Sequence, residues 1–160
     1  MIVIVMGVMG SGKTTVGKKL AQAWGCPFFD ADDFHSPENK HKMSRGVPLT
    51  DEDRKPWLEK LAVLSQNWNR KHSRTVLACS ALKQRYRDLL SGGLPVKWVY
   101  LKGDQDLTRK RLENRAGHFA FPGLLRDQFD VLEEPVDAVV ADILKNPDEI
   151  VESLKVQLEK

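Results

Sequence analysis

The sequence predicts a single α/β domain of three layers, α/β/α, built on a five-stranded parallel sheet. Three observations predict it. Short apolar runs of strand type alternate with longer segments of helical period along the whole chain, a pattern that builds a parallel sheet with helices on both faces. The 160 residues fit one domain with a sizeable core, and no repeat, low-complexity tract or linker divides them. A glycine-rich turn separates the first apolar run from the first helical segment.

Taken in order, Ile2–Met6 is an unbroken apolar run of the kind buried on both faces of a sheet. After the glycine turn a helix is predicted from about Lys13 to Trp24, and "CPFFD" forms a second strand ending at Asp30. The polar stretch "DDFHSPENKHKMSRGVPLTDEDRK" reads as a connection. The helix after it has Pro56 in its first turn and Leu58, Leu61, Leu64 and Trp68 as its buried stripe. "RTVLACS" is a third strand, followed by a helix through "LKQRYRDLL" that Gly92–Gly93 stops. "VKWVYLKG" is the fourth strand, with a helix from about Asp104 to Arg115 behind it. "AGHFAFPG" is a loop, "LLRDQFDVLEE" a helix, "DAVVADI" the fifth strand and "PDEIVESLKVQLE" a closing helix. Ligands of such sheets sit at the carboxyl ends of the strands. Gly7–Thr15, Asp30–His35, Ser80–Lys83 and the stretch after Gly103 are therefore expected on one rim.

Composition narrows the function classes. Apolar content of 41% and charged content of 29% suit a soluble globular protein, and 25 basic against 22 acidic residues leave a net charge of only +3. Neither nucleic acid nor a membrane is expected as a partner, and the four tryptophans, Trp24, Trp57, Trp68 and Trp98, read as packing because no basic stripe accompanies them. Cys26 and Cys79 show no C-x-x-C pair or metal-ligand spacing, which suits a reducing compartment. The apolar start has no basic n-region and runs into "SGKTT", so it reads as a strand, and a cytoplasmic protein is expected.

"GVMGSGKT", Gly7–Thr14, satisfies G-x-x-x-x-G-K-[ST] in the strand–turn–helix context the motif needs. Glycines let backbone N–H groups surround a phosphate, and the helix N-terminus adds partial positive charge. Gly7, Gly10, Ser11, Gly12, Lys13, Thr14 and Thr15 are thus expected to bind ATP, with Lys13 on the β- and γ-phosphates and the Thr14 hydroxyl on Mg²⁺. A GTPase is disfavoured because "NKHK" lacks the aspartate of N-K-x-D. An ABC-type motor is disfavoured because the run "VKWVYLKGD" does not end in an Asp-Glu pair. A small-molecule kinase remains.

The segments "GVMGSGKTT", "DADDFHSPENKHKMSRGVPLTDEDRKPWL", "CSALKQRYRDLL", "VYLKGD" and "RLENRAGHF" occur in the order and spacing of gluconate kinases, small P-loop kinases related to shikimate kinase. The resemblance runs from residue 1 to about 135 and implies phosphorylation of D-gluconate to 6-phospho-D-gluconate by ATP. It implies an acceptor segment at about 30–57 and a lid at about 115–126, and leaves a homodimer open. Met9 stands where many relatives have serine, "HFAFPGLLRDQF" carries its proline one place late with Asp127 in a serine's place, and 134–143 is shorter than usual.

In this kinase class a D-x-D after the second strand faces the γ-phosphate. Asp30 is accordingly expected in the Mg²⁺ shell, and Asp32 as the group that accepts the proton of the attacking hydroxyl. A helix cap is the competing role for Asp32, and Asp33 reads as solvated. The period of two in a strand would place Asp30 and Asp32 on one face. His35 is either a ligand of a sugar hydroxyl or a satisfied loop histidine. Arg54 suits a carboxylate bidentately, against an ion pair with Asp51 or Asp53. Lys83 is a second acceptor-site cation, and Arg87 one turn on reads as a solvated charge. Arg111 and Arg115, four apart on one helix face, are expected to close over the nucleotide, with Arg115 catalytic. Competing readings are a kinase for another acidic metabolite such as shikimate, and a non-catalytic ATP-binding module.

Overall fold

The computed structural model describes residues 1–116 and 121–160; the His118 and Phe119 of the expected lid lie outside them. The central sheet is all parallel, in the order β2-β3-β1-β4-β5, with β1 at Ile2–Met6, β2 at Phe28–Asp30, β3 at Thr75–Ala78, β4 at Val96–Lys102 and β5 at Ala138–Asp142. Seven α-helices are described: α1 Lys13–Trp24, α2 Pro37–Ser44, α3 Asp51–Lys71, α4 Gln84–Ser91, α5 Gln105–Ala116, α6 Pro122–Val131 and α7 Pro147–Leu158.

Strand alternation sorts the core into two layers. Ile2, Ile4 and Met6 point to one face, where Trp57, Leu58, Leu61 and Trp68 of α3 and Tyr86 and Leu90 of α4 cover them. Val3 and Val5 point to the other, against Val16 and Leu20 of α1 and Ile150 and Leu154 of α7. Every residue of β1 is buried, as its unbroken apolar run requires. A third, smaller cluster of Val8, Leu82, Leu112 and Leu125 fastens the loop after β1 to α5 and α6. Because β1 is central and its neighbours β3 and β4 follow opposite turns of the chain, the crevice at its carboxyl end is the switch point where such sheets bind ligands.

Three local expectations change. The polar connection contains α2, whose N-cap Ser36 accepts from the Asn39 N–H at 3.1 Å with Pro37 at the first position. Only Asn39 of this helix is buried, so no apolar stripe announced it. α3 starts at a capping box, Thr50 with Asp53, and Pro56 therefore lies inside the helix rather than in its first turn. α6 begins at Pro122, two residues before the predicted "LLRDQF" start, because proline fits the first helical position.

Candidate active site

The loop leaving β1 closes on the Val8 carbonyl, which accepts from the Ser11 N–H at 3.2 Å and from the Lys13 ammonium at 2.9 Å. Gly12 caps α1 with φ 96°. Gly10 holds φ 75°, and a Cβ there would stand 2.6 Å from Leu112 Cγ. Left-handed backbone and close contact with α5 together demand glycine at that position. The N-terminus of α1 opens at the rim, where anions are stabilised. Gly10, Gly12, Lys13, Thr14 and Thr15 line the resulting cleft of about 390 Å³. Gly7 and Ser11 shape the loop from behind: Ser11 is buried, with its hydroxyl against Gly7.

At the acidic strand tip, β2 ends at Asp30 and a 3-10 turn over Ala31–Phe34 takes over. Strand alternation therefore does not continue to Asp32; the turn carries it into the cleft instead. Asp30 Oδ1 accepts from the Asp32 N–H at 3.0 Å, and Asp30 Oδ2 accepts from the Thr14 hydroxyl at 2.8 Å. The cap is thus Asp30, and the Asp32 carboxylate, in the same cleft as Lys13, accepts no hydrogen bond among the described residues. The surrounding walls, and then Asp30, push the Asp32 carboxyl above its ordinary value, while Lys13 pulls the other way. Its side chain is 77% exposed to the open cleft, and water weakens that push. Burial draws the Lys13 ammonium below its ordinary value, with Asp32 the strongest opposing influence and Arg115 adding to the lowering.

The opposite side of the cleft is built by α3 and α4. Arg54 lines the cleft and donates to the Leu49 carbonyl and, at 3.4 Å, to the Tyr86 hydroxyl. It pairs with neither Asp51 nor Asp53: Asp53 binds Lys42 at 2.8 Å, and Asp51 takes Lys83 at 3.3 Å, Arg85 and the Tyr86 hydroxyl. Lys83 lies in an adjoining hollow of about 350 Å³ that shares Arg54 with the cleft. His35 is buried, stacked on Trp57 with ring centres 4.0 Å apart. Ser80 lines the cleft beneath the buried Cys79, whose thiol burial pushes up to about 12.

Arg115 lines the cleft; Arg111 instead donates to the Ile143 carbonyl beyond β5. The described arginines of α5 therefore diverge rather than act as one pair. Arg87 is not the solvated charge expected of it. It is 3% exposed and donates to the carbonyls of Ala81, Leu82 and Glu133 and to Gln84, so it clamps the loop after β3 instead of meeting solvent. Tyr86 was not expected here, and Asp51, expected only as a partner for Arg54, instead gathers Lys83, Arg85 and the Tyr86 hydroxyl. Nor was Gln128, whose side-chain oxygen accepts from the Met9 N–H at 2.7 Å; it stands next to Asp127 in "HFAFPGLLRDQF". No helix among the described residues is long and apolar enough to cross a membrane.

This geometry has close counterparts. The shikimate kinase family model matches residues 9–151. A probable gluconokinase of Dictyostelium discoideum is 42% identical over 96% of this chain and 84% of its own length. The thermosensitive gluconokinase of Escherichia coli is 47% identical over 82% of this chain and 71% of its own. Among solved structures, a gluconokinase from Sinorhizobium meliloti superposes with a TM-score of 0.88 at 41% identity, covering 98% of this chain and 90% of that one. With such identity spread over nearly the full length, and the glycine loop, the acidic strand tip and Arg54 all in one cleft, the chain belongs to the gluconokinase family of P-loop kinases.

Proposed function

We propose that the protein is an ATP-dependent gluconate kinase in which Lys13, Asp32 and Arg54 set the line of transfer from the γ-phosphate to the terminal hydroxyl of D-gluconate. Kinase activity on gluconate follows from family membership across most of the chain. The observation that carries the residue assignment is the free Asp32 carboxylate in one cleft with Lys13, beside an Arg54 without a carboxylate partner among the described residues.

The α1 N-terminus, with Gly10, Gly12, Thr14 and Thr15, holds the phosphates, and Lys13 exchanges the Val8 carbonyl for β- and γ-phosphate oxygens. Arg54 takes the gluconate carboxylate as a bidentate pair, with Lys83 beyond it in the adjoining hollow and His35 in the wall. Asp32 orients the 6-hydroxyl and accepts its proton while the oxygen–phosphorus bond forms and the bond from the γ-phosphorus to the bridging oxygen of ADP breaks. Arg115 neutralises charge on the transferring group, and Arg111 borders the nucleotide near Ile143. Thr14 and Asp30, two hard oxygen donors already in contact, would hold Mg²⁺. When bound, that ion neutralises β- and γ-phosphate oxygens. Two free cysteines suit a reducing cytoplasm.

The test is ADP release measured with gluconate, shikimate, gluconolactone and common sugars. Turnover with gluconate is expected; turnover with shikimate alone overturns the acceptor assignment. Asp32→Asn should keep ATP binding and lose about 10²-fold or more in kcat. Trace turnover unchanged by the substitution would favour a non-catalytic nucleotide-binding module.

A further inference from the structure

His35 sits between the proposed base and two helices, and its surroundings fix its protonation. The Asp53 carbonyl can only accept, so the amide that meets it at 2.9 Å is the Asn39 Nδ2 nitrogen. That same nitrogen lies 3.4 Å from His35 Nδ1 and offers its second hydrogen there. Nδ1 is therefore an acceptor, and the ring proton belongs to Nε2. Nε2 faces Asp32 Oδ1 at 3.8 Å. The ring is held in that direction by its stack on Trp57, interplanar angle 18°, while Trp57 Nε1 donates at 2.8 Å to the carbonyl of Ala31 in the turn that carries Asp32.

We propose that His35 is a positioning residue for Asp32, donating its Nε2–H to the carboxylate that receives the acceptor proton, with Asn39 setting the tautomer. The inference rests on the role given to Asp32 above. At 3.8 Å the pair is longer than a hydrogen bond, but the Asp32 side chain is free to turn in the open cleft, and catalytic bonds tighten from such lengths as substrate closes the site. The bond leaves one carboxylate oxygen for the substrate hydroxyl and fixes its direction. Neither nitrogen of the ring is free to act as a base: one is protonated and the other occupied by Asn39. The ring also stays neutral, held down to about 4 by burial, then by Arg54 of α3 and Lys40 of α2. The side chain is 3% exposed, which gives a sugar hydroxyl little surface to meet.

The experiment is a double-mutant cycle on the full chain with gluconate and ATP. His35→Phe keeps an aromatic ring on Trp57 and removes the N–H donor. It should lower kcat by about 10- to 100-fold, the size of one hydrogen bond to a charged group, with both KM values changed less than about 3-fold. In an Asp32→Asn background the same substitution should change kcat by less than about 3-fold, because the bonded carboxylate is gone. His35→Gln, which retains an N–H donor, should recover most of the lost kcat. A KM for gluconate that rises while kcat holds overturns the proposal in favour of a sugar ligand. An equal kcat loss in both backgrounds overturns it in favour of a purely structural role. Should the Phe variant not fold, His35→Ala is read in the same two backgrounds against the same outcomes. Wild-type kcat in Asp32→Asn alone would instead overturn the reading of Asp32, which separates the two failures.

Discussion

Replacing Arg87 by methionine isolates the clamp on the loop after β3. Methionine keeps much of the apolar stem and deletes the guanidinium, which donates to the Ala81 carbonyl at 2.8 Å, the Leu82 carbonyl at 3.1 Å and the Glu133 carbonyl at 2.8 Å. A hydrogen bond from a charged donor contributes about 1.5–3 kcal/mol. The three share one charge and do not add fully, so the loss should be about 3–5 kcal/mol, comparable to stripping one partner from a buried pair. In a chain of this size each kcal/mol moves the melting point by about 2–4 °C, giving a fall of about 6–20 °C. Urea denaturation should show a lower midpoint with an unchanged slope. The clamp also holds Ala81, whose φ of 45° is unfavourable for a residue with a Cβ and is kept by its surroundings. Loosening it displaces Ser80 and Lys83, so the KM for gluconate should rise more than that for ATP. Arg87→Lys, a point charge without the planar fork, should fall between. An Arg87→Met protein melting within about 2 °C of the wild type would refute the clamp.

Arg54→Ala should raise the KM for gluconate far more than that for ATP; equal changes in the two, measured by steady-state kinetics, would contradict its place on the acceptor side. Because the fold raises the Asp32 carboxyl, its ionised form costs stability at neutral pH, and stability should grow as pH falls through that value. Asp32→Asn should therefore melt higher than the wild type while losing turnover; a lower melting point would count against the direction of that shift. His35 works in the opposite sense. With its value held from 6.5 down to about 4, the stability it contributes is full above 6.5 and is lost as pH falls toward 4, about 3 kcal/mol in all. His35→Phe should flatten that part of the acid denaturation curve, and parallel curves for the two proteins would refute it. Gly10→Ala combines left-handed strain with a Cβ 2.6 Å from Leu112 Cγ, so it should weaken ATP binding and cost about 1–3 kcal/mol; unchanged ATP affinity by fluorescence titration would argue against the fit of α5 on the loop.

Where an element's signal is apolar or covalent in origin, the chain alone carries it. The run Ile2–Met6, the glycines of the phosphate loop and the stripe Leu58, Leu61 and Trp68 act through local conformation and the gain from burying them, so sheet, loop and main helix follow from order and spacing. The D-x-D at the strand tip was legible only as a motif: a 3-10 turn, not the alternation of the strand, brings Asp32 into the cleft. α2 was hidden because its stability comes from a cap and from Asn39 rather than from an apolar face.

Partner choice among charges was decided only by the tertiary structure. Asp51, Asp53, Arg54, Lys83 and Arg87 look alike in sequence, as charged residues near a rim. Folding gives Asp53 to Lys42 and Asp51 to Lys83, and buries Arg87 among carbonyls, so that Arg54 lines the cleft without a carboxylate partner among the described residues. The physical reason is range. Burial patterns are set by neighbours three or four residues away, whereas an ion pair or a tautomer depends on atoms brought within about 4 Å from distant parts of the chain. The tautomer of His35, fixed by an amide on one helix and a carbonyl on the next, belongs to that second kind.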